Sequence, residues 1–209
     1  MTTFLLIRHA LCDPVGKSIA GRTPGVHLND DGRRQATVLA GRLGGLPVAA
    51  IRSSPLERAT ETAQPLAAAL GLPVVQDTGL TEVDFGEWTG RTLPELDSLP
   101  EWRDFNERRS STEIPGGETM AEVVSRSLAT LEQVRRTPDL TGRLVALVSH
   151  GDVLRILVAH CIGMDPNVIH RIEIAPASVS ILSSENGKWR LLLLNSTEEW
   201  PNSLASATR

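Results

Sequence analysis

The sequence predicts an α/β fold: a three-layer α/β/α sandwich with a mostly parallel central sheet and a small cap-like insertion. Two observations lead there. Phe4-Leu5-Leu6-Ile7 and Leu144-Val145-Ala146-Leu147-Val148 are continuous apolar runs, which read as strands buried on both faces, as in a parallel sheet covered by helices. Each run ends by delivering a histidine, His9 after Arg8 and His150 before Gly151. In open sheets of this kind ligands bind just beyond the carboxyl ends of the strands.

The elements follow in order. A strand over 3–8 leads into a loop with Gly and Pro, from Leu11 to Val26. A helix is expected from about Asn29 to Leu43, with Asn29, Asp30 or Asp31 as cap and Gly44-Gly45 at its end. Val48 to Arg52 reads as a short strand. Ser53-Ser54-Pro55 then opens a helix, with serine capping and proline in the first turn, and Leu56, Ala59, Ala63, Leu66, Ala67 and Leu70 keep helical spacing. Gly71-Leu72-Pro73 breaks it before a third short strand at Val74-Val75. Residues 79–117 have no long period and hold Phe85, Trp88, Trp102 and Phe105 among many charges; they read as a cap-like excursion over the mouth of a site. Glu118 to Thr137 reads as an amphipathic helix with Met120, Val123, Val124, Leu128, Leu131 and Val134 as its stripe. A strand over 143–149 and a helix over 151–161 come next. Strands near 177–183 and 188–194 form a hairpin around Asn186-Gly187. Residues 196–209 read as a flexible polar tail. The whole chain, 1–209, reads as a single domain.

Composition narrows the function. The 209 residues are 41% hydrophobic, enough for a large core, and the net charge of −4 gives no general attraction to nucleic acid or an anionic membrane. No stretch approaches the ~18 apolar residues of a membrane span. Met1-Thr2-Thr3 enters the first strand directly, which predicts no signal peptide, and two cysteines make no disulfide framework. A reduced, cytoplasmic setting is expected. The assembly state is left open, a homodimer included.

Five groups of chemistry-bearing residues fall at the carboxyl side of the sheet: Arg8-His9, Gly21-Arg22, Ser54 with Arg58, Glu82, and His150-Gly151. Arginine forks and helix N-termini suit a phosphate dianion. A neutral histidine is a competent nucleophile toward phosphorus, and a carboxylic acid can protonate a leaving alcohol.

These residues fall in a pattern that resembles the histidine phosphatase superfamily, in its phosphoglycerate mutase-like branch, over nearly the full length. Leu6-Ile7-Arg8-His9 is similar to the N-terminal Arg-His-Gly motif, and Ser54-Pro55-Leu56-Glu57-Arg58-Ala59 to the Ser-Pro-Leu-x-Arg-Ala segment. Leu80-Thr81-Glu82-Val83-Asp84-Phe85-Gly86 resembles the Leu-x-Glu-x-x-Phe-Gly acid segment, and Val148-Ser149-His150-Gly151 the second-histidine motif. The resemblance implies that His9 is the nucleophile, that Arg8, Arg58 and His150 hold the phosphoryl oxygens, and that Glu82 is the proton donor. Gly21, Arg22 and Gly151 join the expected phosphate site, with Thr23 as a further contact. Arg108 and Arg109 are candidates for a substrate carboxylate or second phosphate. No metal or other cofactor is expected, because arginines and His150 supply the charge; a bisphosphorylated primer enters only if the chain is a mutase. The expected partner is a small phosphorylated metabolite.

Two positions depart from the pattern. Ala10 stands where the motif has glycine, a residue that allows close approach or positive φ. Val15 stands where many relatives place a phosphate-contacting asparagine. The reading is a metal-independent phosphatase working through phosphorylated His9. A phosphoglycerate-type mutase is the first alternative, and a catalytically weak phosphate-binding or regulatory module, motivated by Ala10, the second. Gly16-Lys17-Ser18 invites a nucleotide-binding loop, but Leu11 occupies the position of its first glycine. His27, His160 and His170 stand away from any such company and read as surface or packing residues.

Overall fold

The computed structural model describes residues 1–197. Six strands form one sheet in the order β3-β2-β4-β1-β5-β6: β1 is Thr2–Arg8, β2 Val48–Ser53, β3 Val74–Gln76, β4 Leu144–Ser149, β5 Val179–Glu185 and β6 Lys188–Ser196. The first four run parallel, and β5 and β6 are antiparallel. The α/β fold with a mostly parallel sheet is therefore present.

Side chains alternate across each central strand and sort the helices into layers. Leu5 and Ile7 of β1 and Ala146 and Val148 of β4 face α1 (Asp30–Leu43) and α2 (Glu57–Leu70) through Leu39, Leu43, Ala63 and Leu66. Phe4, Leu6, Val145 and Leu147 face the other side, where α5 (Met120–Arg136) and α6 (Gly151–Cys161) supply Val123, Leu131, Val153 and Leu157. Every residue of β4 is buried, which explains its unbroken apolar run.

The 79–117 segment contains α3 (Leu93–Asp97) and α4 (Pro100–Glu107), joined by irregular turns. Its Trp88, Trp102 and Phe105 form an aromatic triangle, with ring centroids 5.2 to 6.0 Å apart. The triangle belongs to the same buried cluster as α5, α6 and one sheet face.

Several boundaries differ from the sequence reading. The second helix begins at Glu57, not at Ser53-Ser54, and its N-cap Leu56 makes no side-chain cap bond; the Ser54 hydroxyl is held by His150 instead. The long helix starts at Met120, because Thr119 and Glu122 close a reciprocal capping box there. The hairpin turns at Asn186 and Gly187, both with positive φ, as a tight primed turn requires. Ser196 lies in β6 rather than in a tail, and residues 198–209 of that expected tail lie outside the described residues. No helix among the described residues is long and apolar enough to cross a membrane.

Candidate active site

Topology explains how residues 141 apart in sequence become neighbours. β1 and β4 pair in parallel with Arg8 opposite Ser149, so the next residue of each strand emerges at the same sheet edge. The His9 N–H donates to the Ser149 carbonyl at 2.8 Å, and the His9 and His150 rings lie 5.1 Å apart, centroid to centroid. Both are buried. His150 is the N-cap residue of α6, so that helix presents its N-terminus to the same place.

The proton positions follow from the partners. His9 Nδ1 lies 2.8 Å from the Ala10 carbonyl oxygen, which can only accept. Nδ1 therefore carries the proton and leaves the Nε2 lone pair free. Burial, aided by the Arg58 charge, lowers the His9 pKa to about 3, so the ring is neutral at pH 7. His150 Nε2 meets the Ser54 hydroxyl at 2.8 Å, while burial and the nearby His9 and Arg58 hold its pKa well below the usual value.

Two arginines approach this pair. Arg58, in the first turn of α2 and 1% exposed, donates from Nη2 to the Gly21 carbonyl at 2.7 Å. Gly21 has φ +49°, and a Cβ there would lie 2.9 Å from Thr89 Oγ1, so only glycine brings this carbonyl into place. Arg8 donates from Nη1 to the Ile174 carbonyl at 2.6 Å. Its guanidinium crosses Gly151, where a Cβ would sit 3.2 Å from the Arg8 Cζ. Among the described residues, Arg8 Nε, Arg58 Nη1 and His150 Nδ1 are buried without a hydrogen-bond partner. Three orphaned nitrogens around one neutral imidazole are the composition of an oxyanion cradle.

Glu82 completes the site. Its Oε1 accepts from the Val83 N–H at 2.9 Å, and Oε2 is 3.9 Å from His150 Nδ1. Burial and the negative Asp152 raise its pKa to about 7, against the opposing pull of Arg58 and Arg8. It can thus both give and take a proton near neutrality.

Arg8, His9, Gly21, Arg58, Glu82 and Gly151 line a cavity of about 230 Å³. Its lining also includes the apolar Val15, Ile19, Phe85, Leu93 and Trp102 and the charged Arg109, Asp152 and Arg155. Of the two candidate arginines at 108 and 109, Arg109 is buried, and its Nε and Nη1 make no hydrogen bond among the described residues. Arg108 is exposed and pairs with Asp104 at 2.8 Å, away from the cavity. Arg22 and Thr23 do not line it either. Thr23 is exposed, and the Arg22 guanidinium is taken by Glu118 at 2.7 Å, by Asp84 at 3.6 Å and by the Glu82 carbonyl at 2.9 Å. Nothing local in the sequence around Arg22 signals that its anions are Asp84 and Glu118, far along the chain.

Ala10 is correct for its place. Outside glycine, positive φ occurs among the described residues only at Ala177, Asn186 and Asn195. The Ala10 methyl packs against Leu28, Ala36 and Ala177, behind the cavity. His27 pairs with Glu61 on the surface, and His160 and His170 are exposed.

Two site residues escaped the sequence reading. Asp152 accepts from Arg155 at 3.0 Å and lies 3.6 Å from Arg109; despite burial, these cations hold its carboxyl below the usual range. Their signal was present, since Asp152 and Arg155 sit three apart on the helix that follows His150.

The chain is 32% identical to phosphoserine phosphatase 1 of Hydrogenobacter thermophilus, over 94% of this chain and 93% of that protein. It is 33% identical to a Yersinia enterocolitica protein named probable phosphoglycerate mutase, over 76% of this chain and 74% of that one. The structure of mycobacterial glucosyl-3-phosphoglycerate phosphatase in complex with VO3 superposes with a TM-score of 0.84 at 31% identity, covering 94% of this chain and all of the other. A profile of one family spans residues 4–197, from the first strand to the last. With its paired strand-end histidines and buried arginines, the chain belongs to the histidine phosphatase superfamily, branch 1.

Proposed function

We propose that the protein is a metal-independent phosphatase that hydrolyses a small phosphorylated metabolite through a phosphohistidine on His9. The observation that carries this reading is the set of three buried nitrogens without hydrogen bonds, Arg8 Nε, Arg58 Nη1 and His150 Nδ1, around a histidine whose Nε2 lone pair is free.

In the first step His9 Nε2 attacks phosphorus in line, the P–O bond to the leaving group breaks, and the Glu82 carboxylic acid gives its proton to the departing alkoxide. In the second, the Glu82 carboxylate takes a proton from water as that oxygen attacks phosphorus; the N–P bond breaks and phosphate leaves. The two guanidiniums and the His150 N–H hold the equatorial oxygens throughout, where positioned donors matter most for phosphoryl transfer. With the Ser54 hydroxyl donating to His150 Nε2, the His150 proton sits on Nδ1, facing the anion. The small cavity and the Arg109 cation in its lining, whose Nε makes no hydrogen bond, favour a compact substrate whose alcohol portion carries a carboxylate or second phosphate. The relative that holds VO3 and the relative named phosphoserine phosphatase support the phosphatase assignment.

The test is labelling with a ³²P-phosphomonoester. Wild type should yield an acid-labile, base-stable phosphoenzyme and turn over in excess chelator, and His9→Ala should lose the label and at least about 10⁴ of the rate. Label retained in His9→Ala would remove the nucleophile. A mutase reading is favoured by the relative named for that activity and by Arg109 at the cavity wall. It predicts phosphoryl exchange between phosphoglycerates with a bisphosphorylated primer; the phosphatase reading predicts release of inorganic phosphate instead.

A further inference from the structure

The Glu82 carboxyl has little of its own to hold it in place. Oε1 accepts from the N–H of the next residue, and Oε2 is 3.9 Å from His150 Nδ1. Its aim therefore depends on where the main chain of the 79–84 loop is held.

That main chain is gripped from two directions. Arg126, on α5, donates from Nη1 to the carbonyls of Gly79 at 2.9 Å and Thr81 at 2.6 Å, and from Nη2 to that of Glu82 at 3.2 Å. Arg22, from the loop after β1, donates from Nε to the same Glu82 carbonyl at 2.9 Å. Glu118 ties the two arginines together: it accepts from Arg126 Nε and Nη2, each at 2.9 Å, and lies 2.7 Å from Arg22 Nη2. It also accepts from the Asp84 N–H at 3.1 Å, and its own N–H donates to the Asp84 carbonyl at 2.9 Å. Two cations, Arg22 and Arg126, thus meet two anions, Glu118 and Asp84, and the assembly carries no net charge.

We propose that Arg22 and Arg126 are positioning residues for proton transfer: a charge-neutral clamp, centred on Glu118, that fixes the Glu82 main chain and so aims its carboxyl at the leaving oxygen. Neutrality matters, because an uncompensated cation at this carbonyl would favour the ionised carboxylate that cannot donate. The clamp rests on the reading of Glu82 as proton donor. It also gives Arg22 a place in the site without contact to phosphate.

The experiment compares leaving groups. A displaced acid slows an alkyl phosphate, whose alkoxide needs a proton, and spares 2,4-dinitrophenyl phosphate, whose phenolate does not. Arg22 is partly exposed, so Arg22→Met is the primary variant, with thermal unfolding as the folding control. It should lose about tenfold in kcat with an alkyl phosphate, and less than about twofold with the dinitrophenyl ester, at unchanged KM. Arg126→Lys, which keeps charge but not the fork, should lose more in the same pattern; if it does not fold, Arg22→Met decides. In a Glu82→Gln background, Arg22→Met should add less than about twofold. Equal losses with both leaving groups, or full additivity with Glu82→Gln, would overturn the clamp alone. A Glu82→Gln enzyme with no leaving-group dependence would overturn the proton-donor assignment and the clamp together.

Discussion

On the cavity floor, Arg8, His9, Arg58 and His150 hang from strand ends and the first turn of a helix, and their positions follow from sheet register. At the rim, Glu82, Trp102 and Arg109 hang from irregular turns and short helices held by aromatic packing and guanidinium–carbonyl bonds. The floor is fixed by the backbone pairing of β1 with β4 and by the start of α2. The rim is fixed by particular side chains, each of which can be removed. On the proposed mechanism, phosphate capture, common to every substrate, falls to the strand-end part, and proton delivery and substrate choice to the replaceable part.

The largest effect that tests this division is on the floor. Arg58→Ala removes a buried guanidinium that reaches both the anion site and the Gly21 carbonyl. Its kcat/KM should fall by on the order of 10²–10³, equally for alkyl and aryl phosphates, because every substrate presents the same oxygens. A loss that depended on the leaving group would place Arg58 with the rim.

Next in size, pH separates the two parts in one profile. His9, with a pKa of about 3, stays neutral across the working range. Glu82, raised to about 7, is the protonated acid below that value and loses its proton as pH rises through it. With poor leaving groups, kcat/KM should therefore decline about tenfold per unit above pH 7. Any acidic limb should follow the second ionisation of the substrate phosphate, at about 6. Asp152→Asn removes a charge that raises the Glu82 pKa, so the basic limb should move to lower pH. A limb that stayed in place would mean that Asp152 does not act on Glu82.

A smaller, more selective effect belongs to Arg109. Its guanidinium stacks on Phe105 at 4.6 Å, its Nη1 lies 3.6 Å from Asp152, and its Nε makes no hydrogen bond among the described residues. Arg109→Met should raise KM about tenfold for a phosphomonoester that bears a carboxylate, the loss of one charged hydrogen bond. It should leave KM for phenyl phosphate nearly unchanged. Equal increases would mean that Arg109 shapes the cap rather than the substrate.

The same contrast explains what was legible in the sequence. The sheet, the helix over 151–161 and the convergence of His9 with His150 follow from apolar runs and cap residues, which are local signals. The helices inside 79–117 did not show, because Trp88, Trp102 and Phe105 are buried by one another and by α5, with no period of their own. Arg22 was misplaced for a related reason. Its choice between phosphate and Glu118 is decided by where residues about 60 and 96 positions further along the chain come to rest.

The smallest effect is the one the family pattern would rank high. Ala10→Gly restores the motif residue, and if the motif needed positive φ or close approach here, the variant should gain activity. The structure argues against a gain. The Ala10 N–H donates to Thr62 Oγ1 at 2.9 Å, and the same hydroxyl donates to the Arg58 carbonyl at 2.6 Å, so this backbone is already seated against the helix that carries the arginine. The methyl fills a small buried cluster with Leu28, Ala36 and Ala177. Removing it should cost about 1–2 kcal/mol of stability, from one lost buried methyl and a freer unfolded chain. It should change kcat/KM by less than about twofold. A lower Tm at constant activity would show that the floor tolerates a different filling because strand pairing, not this side chain, places His9. A tenfold rise in activity would show instead that the methyl restrains the nucleophile, and would move Ala10 from packing to chemistry.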